Sequence, residues 1–361
     1  MNDIIFSQRT LIIKKFNKHK FAVGSLYFLI FLYLITTFAE FFSPYPTFQR
    51  NRENLYTPPS NIFFFDEEGY FSFYPFVYKI ESELNLKTFQ REYVQNKEEK
   101  YYIRFFPKVE SYTILFFNLN YRFIGVEDGG ELFLMGTDSL GRDIFSRTLY
   151  GTRTSLYVGL VGLLFGVSLG LFFGGISGYY GGGIDNLIQR MIEFLQSLPT
   201  LPLWMALATL VPTHWSPIQV YFSISIVLAI IGWTGLARVV RGKLISLREE
   251  DYVLAAKLCG AREGDIIIKH LLPGFSSYLI VHLTLAIPSM ILGETSLSFL
   301  GLGIRPPAVS LGTLLQDSQN VQTVTMNPWL LFPGIFVILI VLAFNFLGDG
   351  IRDAADPYKH H

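Results

Sequence analysis

The sequence is poor in cysteine and in charge. Cys259 is the single cysteine among 361 residues, which excludes an intramolecular disulfide and a metal site built from several cysteines. Charged residues make up 16% of the chain, whereas soluble domains usually carry about 25%. The 29 basic residues balance the 29 acidic ones, so no overall positive field indicates a nucleic-acid partner. Hydrophobic residues make up 50% and the mean hydropathy is +0.36, which predicts a membrane protein.

Motifs that bind nucleotides or catalyse hydrolysis are missing as well. The sequence contains no Gly-x4-Gly-Lys-Ser/Thr phosphate loop, no His-Glu-x2-His zinc motif and no Gly-x-Ser-x-Gly nucleophile elbow. Glu294 is the one acidic residue within the long apolar stretches of the chain and lies near the end of its stretch, whereas an ion-coupled carrier or a proton relay needs several. We therefore expect no catalytic, cofactor-binding or metal-binding residues in this chain, and an energy source in a partner protein.

Six apolar stretches are each long enough to cross a bilayer, because roughly 20 residues of helix span about 30 Å of hydrocarbon. The first is too long for the apolar part of a signal peptide, and no small-x-small cleavage site follows it, so it predicts an uncleaved anchor. We expect an all-α integral membrane protein with six transmembrane helices. The stretches lie at 21–39, within 154–184, and at 194–211, 219–237, 276–299 and 329–347.

Basic residues are distributed unequally between the two sides of the predicted membrane. The amino terminus and the segment between the fourth and fifth stretches are basic, whereas the loop after the third stretch has no Lys or Arg. The positive-inside rule therefore places both termini and the 238–273 loop in the cytoplasm. The predicted segments are the cytoplasmic N-terminus 1–20, transmembrane helix 1 at 21–42, an extracytoplasmic insert at 43–147, the transmembrane core at 148–348 and a cytoplasmic tail at 349–361.

The insert between the first two spans is too long for a simple loop. It is dense in aromatic and charged residues, and its stretches 101–106 and 112–117 are rich in residues that favour β-strands. Its aromatic residues provide enough apolar surface for a folded unit, so we expect a small mixed domain with some strand. A loosely ordered linker is the alternative.

Glycine recurs every four residues along the second span, and this spacing winds slowly around one side of a helix. Such a groove lets another helix approach closely, since contact between helices in lipid depends on van der Waals packing. We expect the groove to serve helix packing, either inside the bundle or against a second subunit. Its glycines are Gly162, Gly166, Gly170, Gly174 and Gly178.

The loop segment 249–260 is predicted to form a short cytoplasmic helix. Glu250 and Asp251 stand in its first turn, where the helix dipole favours negative charge. Gly260 follows its end and can adopt a positive φ, as residues that terminate helices often do. This pattern predicts a helix that ends in a sharp turn.

A second helical stretch at 262–272 stops at Pro273, since proline cannot continue a helix. The two stretches together predict a helix, a turn and another helix on the cytoplasmic face. The small side chains of Ala255 and Ala256 allow the first helix to sit deep in a groove of a soluble partner, which is a helix-in-groove contact.

This loop resembles the coupling loop of the ABC importer permeases, which carries Glu-Ala-Ala-x3-Gly and then, after a gap, Ile-x-Leu-Pro-like residues. Here Ala255, Ala256 and Gly260 match the first part, and 270–273 match the second. Leu254 stands where the family has its glutamate, so the carboxylate at that position is lacking in this chain. The position of the loop between the fourth and fifth of six spans also agrees with the family.

Further stretches narrow the resemblance to the oligopeptide and dipeptide group of these permeases, on the second-permease side of the heterodimer. They follow in matching order and spacing from about residue 133 to residue 358. The insert lies outside this match and is longer than the group leads us to expect. The matching stretches are 136–143, 178–182, 296–303 and 343–353, with Asp356 and Pro357.

The resemblance implies the type I ABC importer permease fold and a subunit that forms half of a translocation pathway for peptides in the bacterial cytoplasmic (inner) membrane. The implied partners are a second homologous permease, two ATP-binding-cassette ATPases and an extracytoplasmic substrate-binding protein. ATP and Mg would be bound by the ATPases, so the chain itself performs no catalysis. The 249–273 loop would couple the permease to them.

Other functions remain as alternatives. The same architecture could import oligosaccharides or a nickel complex. A self-contained secondary carrier would need coupling-ion sites and usually shows internal repeats, and neither is evident in the sequence. An intramembrane enzyme would need a Ser/His, paired-Asp or metal constellation within the spans.

Several single residues have two interpretations each. Glu294 could face the pathway, or it could be hydrogen-bonded structurally near the outer end of the fifth span. Pro288 is either a hinge in a helix that lines the pathway or a local kink. His282 is expected to be a packed polar residue. Asp138 and Asp143 are expected to form turns and helix caps outside the membrane.

Overall fold

The computed structural model describes residues 8–66, 68–85, 90–114, 116–266 and 275–355. Within these ranges two 3₁₀ helices, Gln316–Gln319 and Pro328–Leu331, accompany the α-helices. The α-helices are α1 Gln8–Lys18, α2 Lys20–Thr37, α3 Ala39–Phe42, α4 Ile144–Tyr180, α5 Gly182–Ser197, α6 Thr200–Thr209, α7 Pro217–Leu247, α8 Asp251–Leu258, α9 Glu263–Asp265, α10 Ser276–Phe299, α11 Leu311–Leu315, α12 Val321–Met326 and α13 Phe332–Ala355. The strands are β1 Phe63–Phe65, β2 Phe71–Asn85, β3 Gln90–Phe105, β4 Lys108–Ile114, β5 Phe117–Tyr121 and β6 Ile124–Val126.

Five helices in the described part of the chain are long and apolar enough to cross a membrane, namely α2, α4, α7, α10 and α13. They coincide with five of the six predicted spans. The longest, α4, has 37 residues and therefore extends over about 55 Å, well beyond the roughly 30 Å of hydrocarbon. The helix is therefore longer than a single crossing of the hydrocarbon requires.

The third predicted span, 194–211, is divided between two helices. Helix α5 ends at Ser197, the backbone of Leu198 and Pro199 is extended, and α6 has 10 residues. Pro199 causes this break because it lacks an N–H donor and disfavours helical backbone in the residue before it. A helix of this length reaches only about 15 Å, so α6 alone is too short to cross the hydrocarbon.

The two ends of the helix bundle carry different structures. On one end, α2 leads into the insert and α4 leaves it, and we call this end the insert side. The other end carries the turn between α4 and α5 together with α8 and α9, and we call it the loop side.

The described residues of the insert between 43 and 143 form strands and turns, without a helix. Four antiparallel strands pair in the order β1-β2-β3-β6, and β4 pairs with β5 in a separate two-stranded sheet. Phe76, Val77, Ile103 and Leu132 supply the core of the insert, each at most 2% exposed. The predicted strand content is present, and the burial of these apolar side chains explains why the segment folds.

The glycines of α4 lie against α7, and of the two alternatives for this groove the structure shows packing within the chain. A Cβ added at Gly174 would lie 2.6 Å from the backbone oxygen of Ala237, and one added at Gly178 would lie 2.8 Å from Cβ of Leu244. Real Cβ atoms essentially never come so close to another atom. The positions that contact α7 are Gly162, Gly166, Gly170, Gly174 and Gly178.

Candidate coupling helix and helix junctions

The helix predicted within 249–260 is α8, which follows closely after α7. Its first turn is closed by a hydrogen bond of 2.9 Å from the amide of Val253 to the carbonyl of Glu250. Gly260 has a φ of +79°, a conformation that residues with a side chain rarely adopt. The glycine therefore ends α8 in the sharp turn that the sequence predicts.

One face of α8 packs on the long helices. Val253 is 0% exposed and belongs to an apolar cluster with Leu236, Val240 and Leu244 of α7. Ala256 is half-buried against the same cluster. Because burial of such side chains stabilises contact, α8 is anchored to the loop-side end of α7.

The opposite face of α8 presents apolar side chains to solvent. Leu258 is 90% exposed and Tyr252 is 45% exposed, and Ala255 lies between them in the sequence and is also exposed. We call Tyr252, Ala255 and Leu258 the exposed face of α8. A contiguous apolar strip of this kind marks a protein interaction site more often than scattered apolar residues do.

Sequence reasoning selected Ala255 and Ala256 and missed the two larger side chains of this face. The structure turns Ala256 toward the apolar cluster of the chain itself and leaves Ala255 on the exposed face. The spacing of Tyr252, Ala255 and Leu258, three residues apart, is the signal that could have identified the strip, since residues three apart share one helix face.

The acidic residues at the start of α8, Glu250 and Asp251, are both exposed. The side chain of Leu254 and the segment 267–274 lie outside the described residues. The predicted stop at Pro273 falls in that segment.

A charged junction on the loop side joins α4, α5 and α7. The guanidinium of Arg241 donates two hydrogen bonds to Asp185, with Nε 2.6 Å from Oδ1 and Nη2 2.5 Å from Oδ2. The hydroxyl of Ser177 donates to Asp185, and Nε2 of Gln189 donates to the Ser177 oxygen at 3.1 Å. The hydrogen bond from Arg241 holds the pKa of Asp185 below its ordinary value. Sequence reasoning did not select this pair, whose members are 56 residues apart and belong to no short motif.

The stretch 136–143 forms a buried charged loop at the insert-side end of α4. Asp138 accepts hydrogen bonds from Nε of Arg142 at 2.8 Å and from Nη1 of Arg147. Asp143 caps α4 by accepting a hydrogen bond of 2.7 Å from the amide of Ser146, as its position before the helix predicts. Burial raises the pKa of Asp143 to about 6.

The same loop ties distant parts of the chain together. A Cβ added at Gly141 would lie 1.8 Å from the backbone oxygen of Asn51, so the two backbones meet there and only glycine fits. Thr137 donates its hydroxyl to the carbonyl of Asn54 at 2.6 Å. Nε1 of Trp329 donates to the carbonyl of Thr137 at 3.1 Å. The loop is therefore held by both the insert and the segment before α13.

Glu294 is 0% exposed at a junction of α4, α10 and α11. Its carboxylate accepts hydrogen bonds from the hydroxyls of Ser155 at 2.7 Å and Ser298 at 2.6 Å. The Ser155 oxygen in turn accepts a bond of 3.2 Å from the amide of Leu311, the first residue of α11. Of the two roles considered for Glu294, these contacts favour the structural one. Pro288 lies inside α10, which continues through it.

These features define a class: a polytopic membrane protein with a β-rich insert on one side and, on the other, a short anchored helix with an exposed apolar face. Within the described ranges, no group of three or more His, Cys, Asp or Glu side chains is placed to hold a metal ion. The chain belongs to the family described as "Binding-protein-dependent transport system inner membrane component", which matches residues 166–360. It is thus a multi-pass permease component of an inner-membrane transport system, and the predicted resemblance to ABC importer permeases is confirmed.

A second family, "N-terminal TM domain of oligopeptide transport permease C", matches residues 7–59. Among similar proteins, the dipeptide transport system permease protein DppC of Bacillus subtilis is 43% identical over 62% of this chain and 68% of its own length. The oligopeptide transport system permease protein OppC of Haemophilus influenzae is 44% identical over 62% of this chain and 69% of its own length. Most of the insert lies between the two family matches and belongs to neither.

Solved structures with some similarity include an inward-facing conformation of the MetNI methionine ABC transporter. It is 19% identical, with a TM-score of 0.44, over 58% of this chain and 97% of that chain. A second, a crystal structure of an amino acid ABC transporter with histidines, is 16% identical, with a TM-score of 0.43, over 57% of this chain and 92% of that chain.

Proposed function

We propose that this chain is one of two channel-forming permease subunits of an ATP-driven peptide importer. It pairs with a second homologous permease to form the translocation pathway, and an extracytoplasmic binding protein delivers the peptide. Two ATP-binding-cassette ATPases bind ATP and Mg and drive transport. The chain itself catalyses no reaction.

The geometry of α8 carries this proposal. Its exposed face, Tyr252, Ala255 and Leu258, offers an apolar strip to a groove on an ATPase. Its other face holds Val253 in the cluster of α7. A partner that displaces the exposed face therefore displaces α7 as well.

A movement of α7 also moves α4, because the two helices pack tightly against each other at the glycines of α4. A Cβ added at Gly174 would lie 2.6 Å from the backbone oxygen of Ala237, and one added at Gly178 would lie 2.9 Å from that of Arg241. The hydrogen-bonded ion pair of Arg241 and Asp185 also joins α7 to α5 at the loop-side end. In this mechanism α4 and α7 move as one body when the ATPases close on ATP, and the pathway opens outward; hydrolysis resets it.

The distribution of basic residues supports one orientation in the membrane. Arg238, Arg241, Lys243 and Arg248 cluster at the loop-side end of α7. The positive-inside rule therefore assigns the loop side and both termini to the cytoplasm and the insert to the exterior. This orientation puts α8 where ATP is available.

Peptide cargo is supported by the names of the similar permeases, which transport dipeptides or oligopeptides. Nothing among the described residues favours oligosaccharides or a nickel complex over peptides.

The test is co-expression of this chain with candidate ATPases and a second permease, followed by purification through a tag on the chain. Leu258→Asp places a charge on the exposed face of α8 and is expected to abolish co-purification of the ATPases. Leu258→Met keeps the apolar contact and should retain them. Val321→Asp is the matched control, because Val321 is 79% exposed but lies on the insert side.

Transport and ATP hydrolysis are then measured in proteoliposomes with peptide-loaded binding protein. The proposal requires peptide-stimulated hydrolysis in the wild-type complex and its loss with Leu258→Asp. Undiminished ATPase binding and hydrolysis with Leu258→Asp would remove α8 from the coupling role. Transport by the purified chain without any ATPase would overturn the importer assignment and favour a self-contained carrier.

A further inference from the structure

The hairpin of β4 and β5 stands apart from the main sheet of the insert and has two unlike faces. Residues paired across antiparallel strands lie on the same face. The pairs Tyr112 with Leu119 and Ile114 with Phe117 therefore form one apolar face. Thr113 pairs with Asn118 on the opposite face and is linked to it by a side-chain hydrogen bond of 2.8 Å.

Much of the apolar face is exposed. Phe117 is 70% exposed, Tyr121 is 47% exposed and Leu119 is 37% exposed, and Phe116 beside the hairpin end is 94% exposed. A two-stranded hairpin is only marginally stable in water on its own. Exposed aromatic and leucine side chains on one side of such a hairpin indicate that another surface covers them.

The base of the hairpin is fixed to the insert-side end of the first span. Helix α2 ends at Thr37, and the carbonyl of Phe41 accepts a hydrogen bond of 2.8 Å from the amide of Phe123. The rings of Phe42 and Phe123 are 5.4 Å apart, and the rings of Phe41 and Phe106 are 6.1 Å apart. Phe41 follows Thr37 by four residues, so this ring cluster lies within a few ångströms of the end of the span.

Side chains at the base of the hairpin also lie near the end of α2. The guanidinium of Arg122 donates to the carbonyl of Pro44 and lies 5.7 Å from the centre of the Tyr112 ring. On the neighbouring helix, the hydroxyls of Thr37 and Tyr157 are 3.0 Å apart, so the end of α2 lies beside Tyr157 of α4. The base of the hairpin therefore lies beside the insert-side end of α2.

We infer that the β4–β5 hairpin lies on the insert-side surface of the bilayer, with Phe117, Leu119 and Tyr121 turned into the boundary between lipid headgroups and acyl chains. Aromatic side chains concentrate at this depth because their rings are apolar while their edges tolerate water. Elements with one apolar and one polar face bind there in the plane of the membrane. Lys108, which pairs with Tyr121 at the hairpin base, is exposed and can place its ammonium among lipid phosphates.

The lipid is favoured over a protein as the occupant because exposed rings also stand beside the insert-side end of α2. Phe105 and Phe106 are 58% and 56% exposed and adjoin the ring cluster at the end of α2. The inference concerns the insert alone and does not depend on the cargo or on the ATPases. It assigns to the insert a second membrane attachment beside the spans.

The test uses nitroxide labels on the full chain in liposomes of phosphatidylcholine and phosphatidylglycerol. In a Cys259→Ser background, labels are attached at Phe117→Cys and Leu119→Cys on the apolar face and at Asn118→Cys on the polar face. Phe73→Cys on β2, where Phe73 is 81% exposed, is the second control. Collision rates are measured with oxygen, which partitions into lipid, and with a water-soluble nickel chelate.

The expected result is a ratio of oxygen to nickel collisions that is several-fold higher at 117 and 119 than at 118 and 73. Equal nickel access at 117, 118 and 119 would show that the apolar face is in water and would overturn the inference. Protection of 117 and 119 from both reagents would show a protein contact, and would overturn it equally. If the label at 117 prevents folding, Tyr121→Cys on the same face replaces it.

Discussion

Arg241 and Asp185 form a two-pronged ion pair that closes the loop-side end of the helix bundle, with donor–acceptor distances of 2.6 and 2.5 Å. The pair brings a residue of α7 against the first turn of α5. Ser177 near the end of α4 shares the same carboxylate. One ionic contact thus connects three helices at the end where α8 is attached.

Replacing Asp185 with Asn should destabilise the protein at neutral pH by about 2 kcal/mol, the usual scale for hydrogen bonds to a charged group. The pKa of Asp185 is lowered by Arg241, so the ionised form is favoured in the folded state. The stabilisation is therefore present above the ordinary aspartate pKa of about 4 and is lost as the pH falls through the lower folded value. Thermal unfolding in detergent at several pH values measures the difference between wild type and Asp185→Asn.

Arg241→Gln should cost a similar amount, and the double variant should cost less than the sum of the two single variants, since both remove the same contact. If the double variant lost as much unfolding free energy as the two single variants together, that result would contradict a direct interaction between these side chains.

Gly174→Ala should destabilise the bundle, whereas Gly175→Ala should not. An added Cβ at Gly174 meets the backbone oxygen of Ala237 at 2.6 Å, while nothing lies within 4 Å of one added at Gly175. Overpacking of this kind typically costs about 1–3 kcal/mol. Alanine at the neighbouring position should instead be neutral or stabilising, because alanine has the higher helix propensity.

The two glycine variants are compared by thermal unfolding in the same detergent. Equal melting temperatures for both would mean that α4 and α7 do not meet at the glycine face. Transport by the Gly174→Ala complex, if it forms, should fall together with its stability.

Glu294→Ala should destabilise the protein by about 3 kcal/mol, because it leaves two buried serine hydroxyls without their acceptor. Glu294→Gln keeps the shape and one carbonyl oxygen, so its effect should be about 1 kcal/mol. Unfolding temperatures distinguish the two variants, and peptide affinity of the assembled importer serves as the second readout. A large loss of peptide affinity in Glu294→Gln without loss of stability would favour the pathway role over the structural one.

Asp143→Asn should change how stability depends on pH. The folded state keeps a proton on Asp143 up to about pH 6, whereas the unfolded chain releases it near pH 4. The raised pKa means that stability contributed by the neutral form is present at low pH and is lost as the pH rises from about 4 to 6, by at most about 3 kcal/mol. Asparagine caps a helix but does not ionise. As the pH rises over this interval, the unfolding temperature of the variant should therefore increase relative to that of the wild type. A constant difference across the interval would contradict a shifted pKa.

The features that the sequence predicted depend on local patterns. Five spans follow from long apolar runs, and the end of α8 follows from Gly260, whose positive φ few other residues tolerate. The glycine groove of α4 was likewise visible as a four-residue period. These predictions needed no knowledge of which segments meet in space.

The features that were missed depend on contacts between distant segments. Pro199 breaks the third predicted span, whereas the apolar composition of 194–211 suggested one continuous helix. The pair of Asp185 and Arg241 is separated by 56 residues and has no motif. Which alanine of α8 faces outward was decided by the position of Val253 in the cluster of α7, and that cluster exists only in the folded bundle.

The hydrogen bond from Trp329 to Thr137 joins residues that are 192 positions apart. A growing chain exposes Thr137 long before the ribosome has made Trp329, so the insert-side assembly is completed only when the segment before α13 has been synthesised. Until then the charged loop around Asp138 lacks a neighbour that the longer chain provides. Chains that stop before Trp329 consequently leave the carbonyl of Thr137 without its indole donor.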